Sequence, residues 1–178
     1  MQETVTLPPR TVMEVFKMLP EGTLAEVIEN TLYMSPAPTW EHQELLFELA
    51  LQLSLHCKRM GIGKISIAPV DVYLDENSNA VQPDIFLVVE GNSKVVRRNG
   101  AAYGVPDMII EVLSPGNKNH DTVLKKNLYE KFGVKEYWVI DPDTRASIGY
   151  TLKNSTYQLI GEDSGKINSV LLGKSFVF

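Results

Sequence analysis

Glu111 sits inside an apolar run, with Met108, Ile109 and Ile110 before it and Val112 and Leu113 after it. A lone buried carboxylate is costly unless it is paired, protonated or bound to a cation. Either Glu111 lies at an exposed edge, or something cationic meets it. Side chains alternate along a strand, so Asp107, Ile109, Glu111 and Leu113 share one face. A second acid, Asp84, stands in "QPD" (82–84) at the entrance to another apolar run. If the two runs are neighbouring strands, Asp84 and Glu111 converge. Two such carboxylates share a proton or bind a divalent cation. Magnesium takes one or two carboxylates, several waters and a substrate phosphate. Lys125 is the third candidate. Leu128, Tyr129 and Phe132 follow it at i+3, i+4 and i+7, so it lies on the apolar stripe that faces a sheet. Its neighbour Lys126 turns toward solvent. Glu111 is then matched by Lys125, by a metal ion, or by both.

Several elements must position these groups. Residues 24–36 alternate around Glu29-Asn30 and read as a hairpin stopped by Pro36 and Pro38. Residues 39–61 carry Leu45, Leu46, Leu49, Leu53 and Met60 at helical spacing, with Thr39 as N-cap and Gly61 as stop. The stretch 64–75 reads as one strand, 81–90 as a second, and 91–104 as a polar, basic connector. A third strand spans 106–114, a helix 120–133 ends at Gly133, and a fourth strand spans 135–142. Short strands fill 145–178. The core order is helix, strand, strand, strand, helix, strand. A single crossover helix between the third and fourth strands predicts that they are parallel. The expected fold is an α/β sandwich with additional antiparallel strands at both ends. The expected organisation is one domain over 1–178, with an N-terminal extension 1–20, the hairpin 24–36, the core 39–142 and the terminal strands.

The 178 residues suffice for one domain with a proper core, and 44% apolar with 22% charged residues is a globular composition. No apolar run approaches the roughly 20 residues that span a bilayer. The first residues carry acids and no signal-peptide core. Cys57 is the only cysteine, which excludes an intrachain disulfide and a thiolate metal cluster. These features together predict a cytoplasmic location. A net charge of −5 argues against a protein that coats nucleic acid non-specifically.

The order "QPD" (82–84), "PDMIIEVLSP" (106–115) and "DTVLKKNLYEKFGVKEYWVIDP" (121–142) resembles the Uma2 family, of the DUF820 type. That family falls within the PD-(D/E)XK, restriction-endonuclease-like superfamily. "SPAPTWEHQ" (35–43) and "APVDVYLD" (68–75) resemble its flanking motifs. The likeness covers roughly residues 20 to 150. It implies a restriction-endonuclease-like core and a metal-dependent endonuclease acting on DNA phosphodiester bonds, with Mg2+ or Mn2+ as cofactor. By position Asp84 matches the first metal-binding acid and Glu111 the second. The usual lysine position is Leu113 here, so the literal "ExK" pattern fails, and the resemblance points instead to Lys125 on the following helix. It also places a histidine at His42, near the active site. A homodimer is a common state in the superfamily, and exposed end strands would permit one.

Each residue also has a plainer reading. Asp84 after a proline is a common turn acid. Glu111 with Lys125 is a structural ion pair. Asp107, preceded by Pro106, caps a strand or stands behind the site. His42 is a hydrogen-bonding group of the first helical turn. Ser114 donates to a carboxylate or a phosphate, or serves only a turn. Lys94, Arg97 and Arg98 form the one compact basic run, a solvated loop or a contact to a phosphate backbone. Trp40, Tyr137 and Trp138 read as core or hinge aromatics. The alternative for the whole chain is a catalytically inactive nuclease-fold module that binds nucleic acid or a protein partner.

Overall fold

The computed structural model describes residues 8–92, 94–114 and 120–178, with the side chains of His120 and Asp121 outside the described set. A short helix α1 (Val12–Lys17) opens the chain, followed by the hairpin β1 (Ala25–Ile28) and β2 (Thr31–Met34). The long helix α2 (Trp40–Met60) leads into β3 (Gly63–Ile67). Then come β4 (Val72–Tyr73), β5 (Ala80–Val81), β6 (Ile85–Val89), β7 (Val96–Arg98), β8 (Ala101–Tyr103) and β9 (Met108–Val112). A π-helical segment His120–Lys125 runs straight into α3 (Lys126–Phe132). Strands β10 (Glu136–Ile140), β11 (Ala146–Lys153), β12 (Thr156–Ser164), β13 (Lys166–Ser169) and β14 (Lys174–Val177) finish the chain.

Two six-stranded sheets carry the fold. The main sheet has the order β12-β11-β10-β9-β6-β3, and the second β2-β1-β5-β4-β8-β7. Strands β9 and β10 are parallel, as the single crossover helix requires. Strand β6 runs antiparallel to β9, with Ile85 opposite Ile110. One face of the main sheet packs Ile85, Met108, Ile110 and Trp138 against Leu45, Leu49 and Leu53 of α2. Leu49 and Leu53 are fully buried, and each such side chain contributes roughly 1.5–3 kcal/mol. The other face packs Phe86, Ile109, Tyr137 and Val139 against Leu128 and Tyr129 of α3 and Val72 and Val81 of the second sheet.

Thr39 caps α2 by accepting from the His42 amide, and Gly61 ends it in the left-handed conformation. Trp138 fills the main sheet so completely that a Cβ on Gly149, its cross-strand partner, would lie 2.3 Å from the indole ring. Tyr137 and Trp138 are core residues; Trp40 is not, being 80% exposed at the start of α2.

Three expectations need correction. The stretch 64–75 is not one strand. Strand β3 belongs to the main sheet, and β4 to the second. The stretch 81–90 divides in the same way, into β5 and β6. A proline stands at each break, Pro69 and Pro83, and a residue with no N–H interrupts a ladder. The chain therefore leaves the main sheet at Pro69, builds β4 and β5, and returns at Pro83. The connector 91–104 contains the hairpin β7–β8, turned at Asn99-Gly100 with positive φ at both residues. Helix α1 lies inside the N-terminal extension. A capping box between Thr11 and Glu14 starts it, and it buries Met13 and Phe16 against the second sheet.

Candidate active site

Register explains why the two acids meet. Ile85 faces Ile110 across the antiparallel pair β6–β9. One step outward puts Asp84 opposite Glu111, on the same face of the sheet. Both line a cavity of about 190 Å³. Lys125, His42, Gln82 and Ser114 line it as well. The return of the chain at Pro83 puts Asp84 at the seam between the two sheets.

Glu111 is 2% exposed. Its Oε1 accepts from Lys125 Nζ at 3.1 Å and from Tyr129 Oη at 2.7 Å. Lys125 and Tyr129 are four residues apart, one helical turn, so both reach the same oxygen. The Asp84 amide lies 3.5 Å from the other oxygen. Burial, and then the charges of Glu111 and Glu26, push the Tyr129 phenol well above its ordinary pKa. Tyr129 therefore remains a hydrogen-bond donor at any physiological pH.

Asp84 accepts at Oδ2 from the Val112 amide at 2.8 Å, and at Oδ1 meets His42 Nε2 at 3.2 Å. A carboxylate accepts, so Nε2 of His42 carries the proton in this bond. The buried Nδ1 has no hydrogen-bond partner among the described residues. His42 thus faces Asp84 from the first turn of α2, and its own amide is held by Thr39.

Glu26 is the residue that sequence reasoning missed. It projects from β1, 4% exposed, and its Oε1 lies 3.0 Å from Lys125 Nζ. The same oxygen accepts from the Gln82 amide at 2.8 Å. Gln82 in turn donates to Asp71 Oδ1 at 2.8 Å and to the Thr23 carbonyl at 3.1 Å. Lys125 is therefore flanked by one acid from each sheet. The available signal was an acid within an otherwise apolar run, "AEVI".

Lys126 does not simply face water. It turns away from the cavity and places Nζ 4.2 Å from the centre of the Tyr150 ring. Leu113, at the usual lysine position, packs into the apolar cluster with Leu128 and Tyr129.

Asp107 and the basic run are not brought to the cavity. Asp107 is buried at the other end of β9. It accepts from the Val89 amide and Asn92 Nδ2, both at 2.8 Å, and pairs with Lys135 Nζ at 2.7 Å. Burial alone raises its pKa, but the Lys135, Val89 and Asn92 hydrogen bonds outweigh burial and hold it below its ordinary value of 3.8. A carboxyl depressed in the folded state contributes stability that is complete above the unfolded pKa and is lost as pH falls through the folded one. Asp107→Asn should therefore cost about 2 kcal/mol at neutral pH, with the deficit closing as pH drops below about 4. Urea unfolding of both proteins across that range checks this; a deficit independent of pH would contradict it. Lys94, Arg97 and Arg98 are exposed on and beside β7, the far edge strand of the second sheet. Arg98 pairs with Glu76 at 3.2 Å and lies over the Tyr103 ring.

Among the described residues no group of three or more His, Cys, Asp or Glu side chains is placed to hold a metal ion. Two carboxylates on one cavity wall, with room for water, nevertheless match the hard-oxygen donor set that magnesium takes.

A helix, three strands, a second helix and a fourth strand, with two acids opposed across adjacent strands, have the architecture of the restriction-endonuclease-like fold. The chain belongs to the Uma2 family, whose model, described as "Putative restriction endonuclease", matches residues 12–172. Families of this kind are usually metal-dependent. The fold is similar to a crystal structure from Anabaena variabilis ATCC 29413, described as "a putative nuclease belonging to DUF820". The two share 22% identity over 85% of this chain and 84% of that one, with a TM-score of 0.69. No curated protein matches the chain in sequence. No helix among the described residues is long and apolar enough to cross a membrane.

Proposed function

We propose that the chain is a metal-dependent endonuclease that hydrolyses DNA phosphodiester bonds. The observation that carries this reading is the opposition of Asp84 and Glu111 across β6 and β9, in one cavity with Lys125. Asp84 and Glu111 would hold Mg2+ or Mn2+. When bound, the ion supplies Lewis-acid polarisation of a phosphate oxygen and lowers the pKa of water. Tyr129 fixes the Glu111 carboxylate by donating to Oε1, and His42 does the same for Asp84 at Oδ1. Lys125 presents a buried ammonium beside the carboxylates, where it orients water and offsets charge growing on the phosphoryl oxygens. Hydrolysis forms a bond from water oxygen to phosphorus and breaks the bond to the leaving oxygen, which takes up a proton.

Metal binding is testable apart from cleavage. Manganese should raise the melting temperature of the wild-type protein, because a ligand of the native state alone stabilises it, by about 2.7 kcal/mol at a hundred times Kd. Glu111→Gln and Asp84→Asn should each lose most of that shift. An undiminished shift in both variants would place the metal elsewhere.

A second reading has its own support. Lys125 lies between two buried glutamates, Glu26 and Glu111, the arrangement of a purely structural ion pair. A catalytically inactive module binding nucleic acid or a protein partner follows if wild type cleaves neither duplex nor single-stranded DNA with either metal.

A further inference from the structure

Helix α2 buries one face against the main sheet and leaves another apolar face in solvent. Phe47 is 64% exposed, Leu51 47% and Leu55 55%. Glu44 and Lys58 are exposed too. At 100° per residue these five side chains fall within an arc of about 80°, so they form one stripe along the helix. Three large apolar side chains side by side on one exposed helix face, flanked by charges, have the make-up of a protein contact surface.

The order of residues along the stripe is symmetric in a chemically meaningful way. Leu51 is its centre. Phe47 and Leu55 lie four residues to either side, and Glu44 and Lys58 lie seven to either side. Suppose a second copy of the helix lies antiparallel across the stripe, with the two-fold axis at Leu51. Leu51 then meets its own symmetry mate, each Phe47 meets a Leu55, and each Glu44 meets a Lys58. A two-fold interface requires this reciprocity: what one position offers, its mate must accept. The charge distribution reinforces it, since Glu41, Glu44 and Glu48 occupy the first part of α2 and Lys58 and Arg59 its last turn. A parallel pairing would set like charges together.

We infer that the exposed stripe of α2 is a homodimer interface in which two copies pair antiparallel about Leu51. This contact is separate from the end strands, and it does not depend on the nuclease reading.

The test is sedimentation equilibrium of the full chain over a wide concentration range, with circular dichroism to show that each variant is folded. Wild type should dimerise reversibly. Leu51→Glu, which sets two carboxylates together on the axis, should be a folded monomer. Glu44→Lys and Lys58→Glu should each weaken the dimer about tenfold, since each places like charges opposite one another twice. The double exchange should restore wild-type affinity. Leu51→Cys should cross-link under mild oxidation, whereas wild type, with only the buried Cys57, should not. A wild type that stays monomeric, a dimer that survives Leu51→Glu, or a double exchange no stronger than the single ones would each overturn the assignment.

Discussion

Replacing Lys125 with methionine is expected to reduce metal-dependent DNA cleavage about a thousandfold, the usual effect of deleting a buried group that stabilises charge in a transition state. The matched Lys126→Met variant should cleave almost as wild type does. The two lysines are adjacent in the chain, yet Lys125 Nζ lies 3.1 Å from Glu111 Oε1 while Lys126 stacks on Tyr150. A general attraction of cations for the DNA backbone would make the two substitutions equivalent, and equal losses would refute a catalytic role for Lys125. Cleavage should be followed well below each variant's melting temperature. The manganese-induced melting shift should survive Lys125→Met, since the two carboxylates remain.

Stability should separate the members of the buried cluster, Lys125, Glu111 and Glu26. In metal-free buffer at neutral pH, Lys125→Met is expected to cost about 3–5 kcal/mol, because it leaves two buried carboxylates without their shared cation. The corresponding fall in melting temperature is about 10 °C for a chain of this size. Glu111→Gln should cost only about 1–2 kcal/mol. Lys125 keeps Glu26 at 3.0 Å, and the amide oxygen still accepts from Tyr129. Double substitution of Lys125→Met with Glu26→Gln should recover part of the loss, because one of the two stranded charges has gone. Urea denaturation in the presence of a chelator measures all four proteins. A Lys125→Met variant as stable as wild type would mean that the buried cluster carries little net charge interaction.

The faces of Glu111 and Lys125 could be read from the sequence because each depends on a short-range period, whereas Asp84 was placed by "QPD" and met Glu111 only on the condition that the two strands are neighbours. Alternation fixes the face of Glu111 on β9, and helical spacing fixes the face of Lys125. Glu26 depends on a long-range contact. Nothing local to "AEVI" indicates that its acid meets a lysine on α3, so a period-two pattern shows the strand and not the partner. The breaks at Pro69 and Pro83 were hidden for a related reason. Apolar residues alternate on both sides of each proline, with a change of phase at Pro69 alone, and only the partner strands reveal that the pattern belongs to two sheets. The hairpin β7–β8 was legible but masked: Lys94, Arg97 and Arg98 made the stretch look like a solvated loop, while Asn99-Gly100 marked its turn. The exposed apolar stripe of α2 was hidden because Phe47, Leu51 and Leu55 interleave with the buried residues, and a leucine's presence in a helix does not say which surface it serves.

The location of Lys125 makes it a rivet. Among its partners, Glu26 belongs to the second sheet and Glu111 to the main sheet. Its ammonium meets both carboxylates, at 3.0 and 3.1 Å, across the seam between the sheets, so it depends on their alignment. The cavity therefore gauges that alignment. Any substitution that shears one layer past the other, even one as distant as the packing of α1 on Tyr73, should register first as a change at Lys125. Variants far from the cavity can then impair it while every residue lining it is intact. Their effects should track the displacement between sheets rather than overall stability.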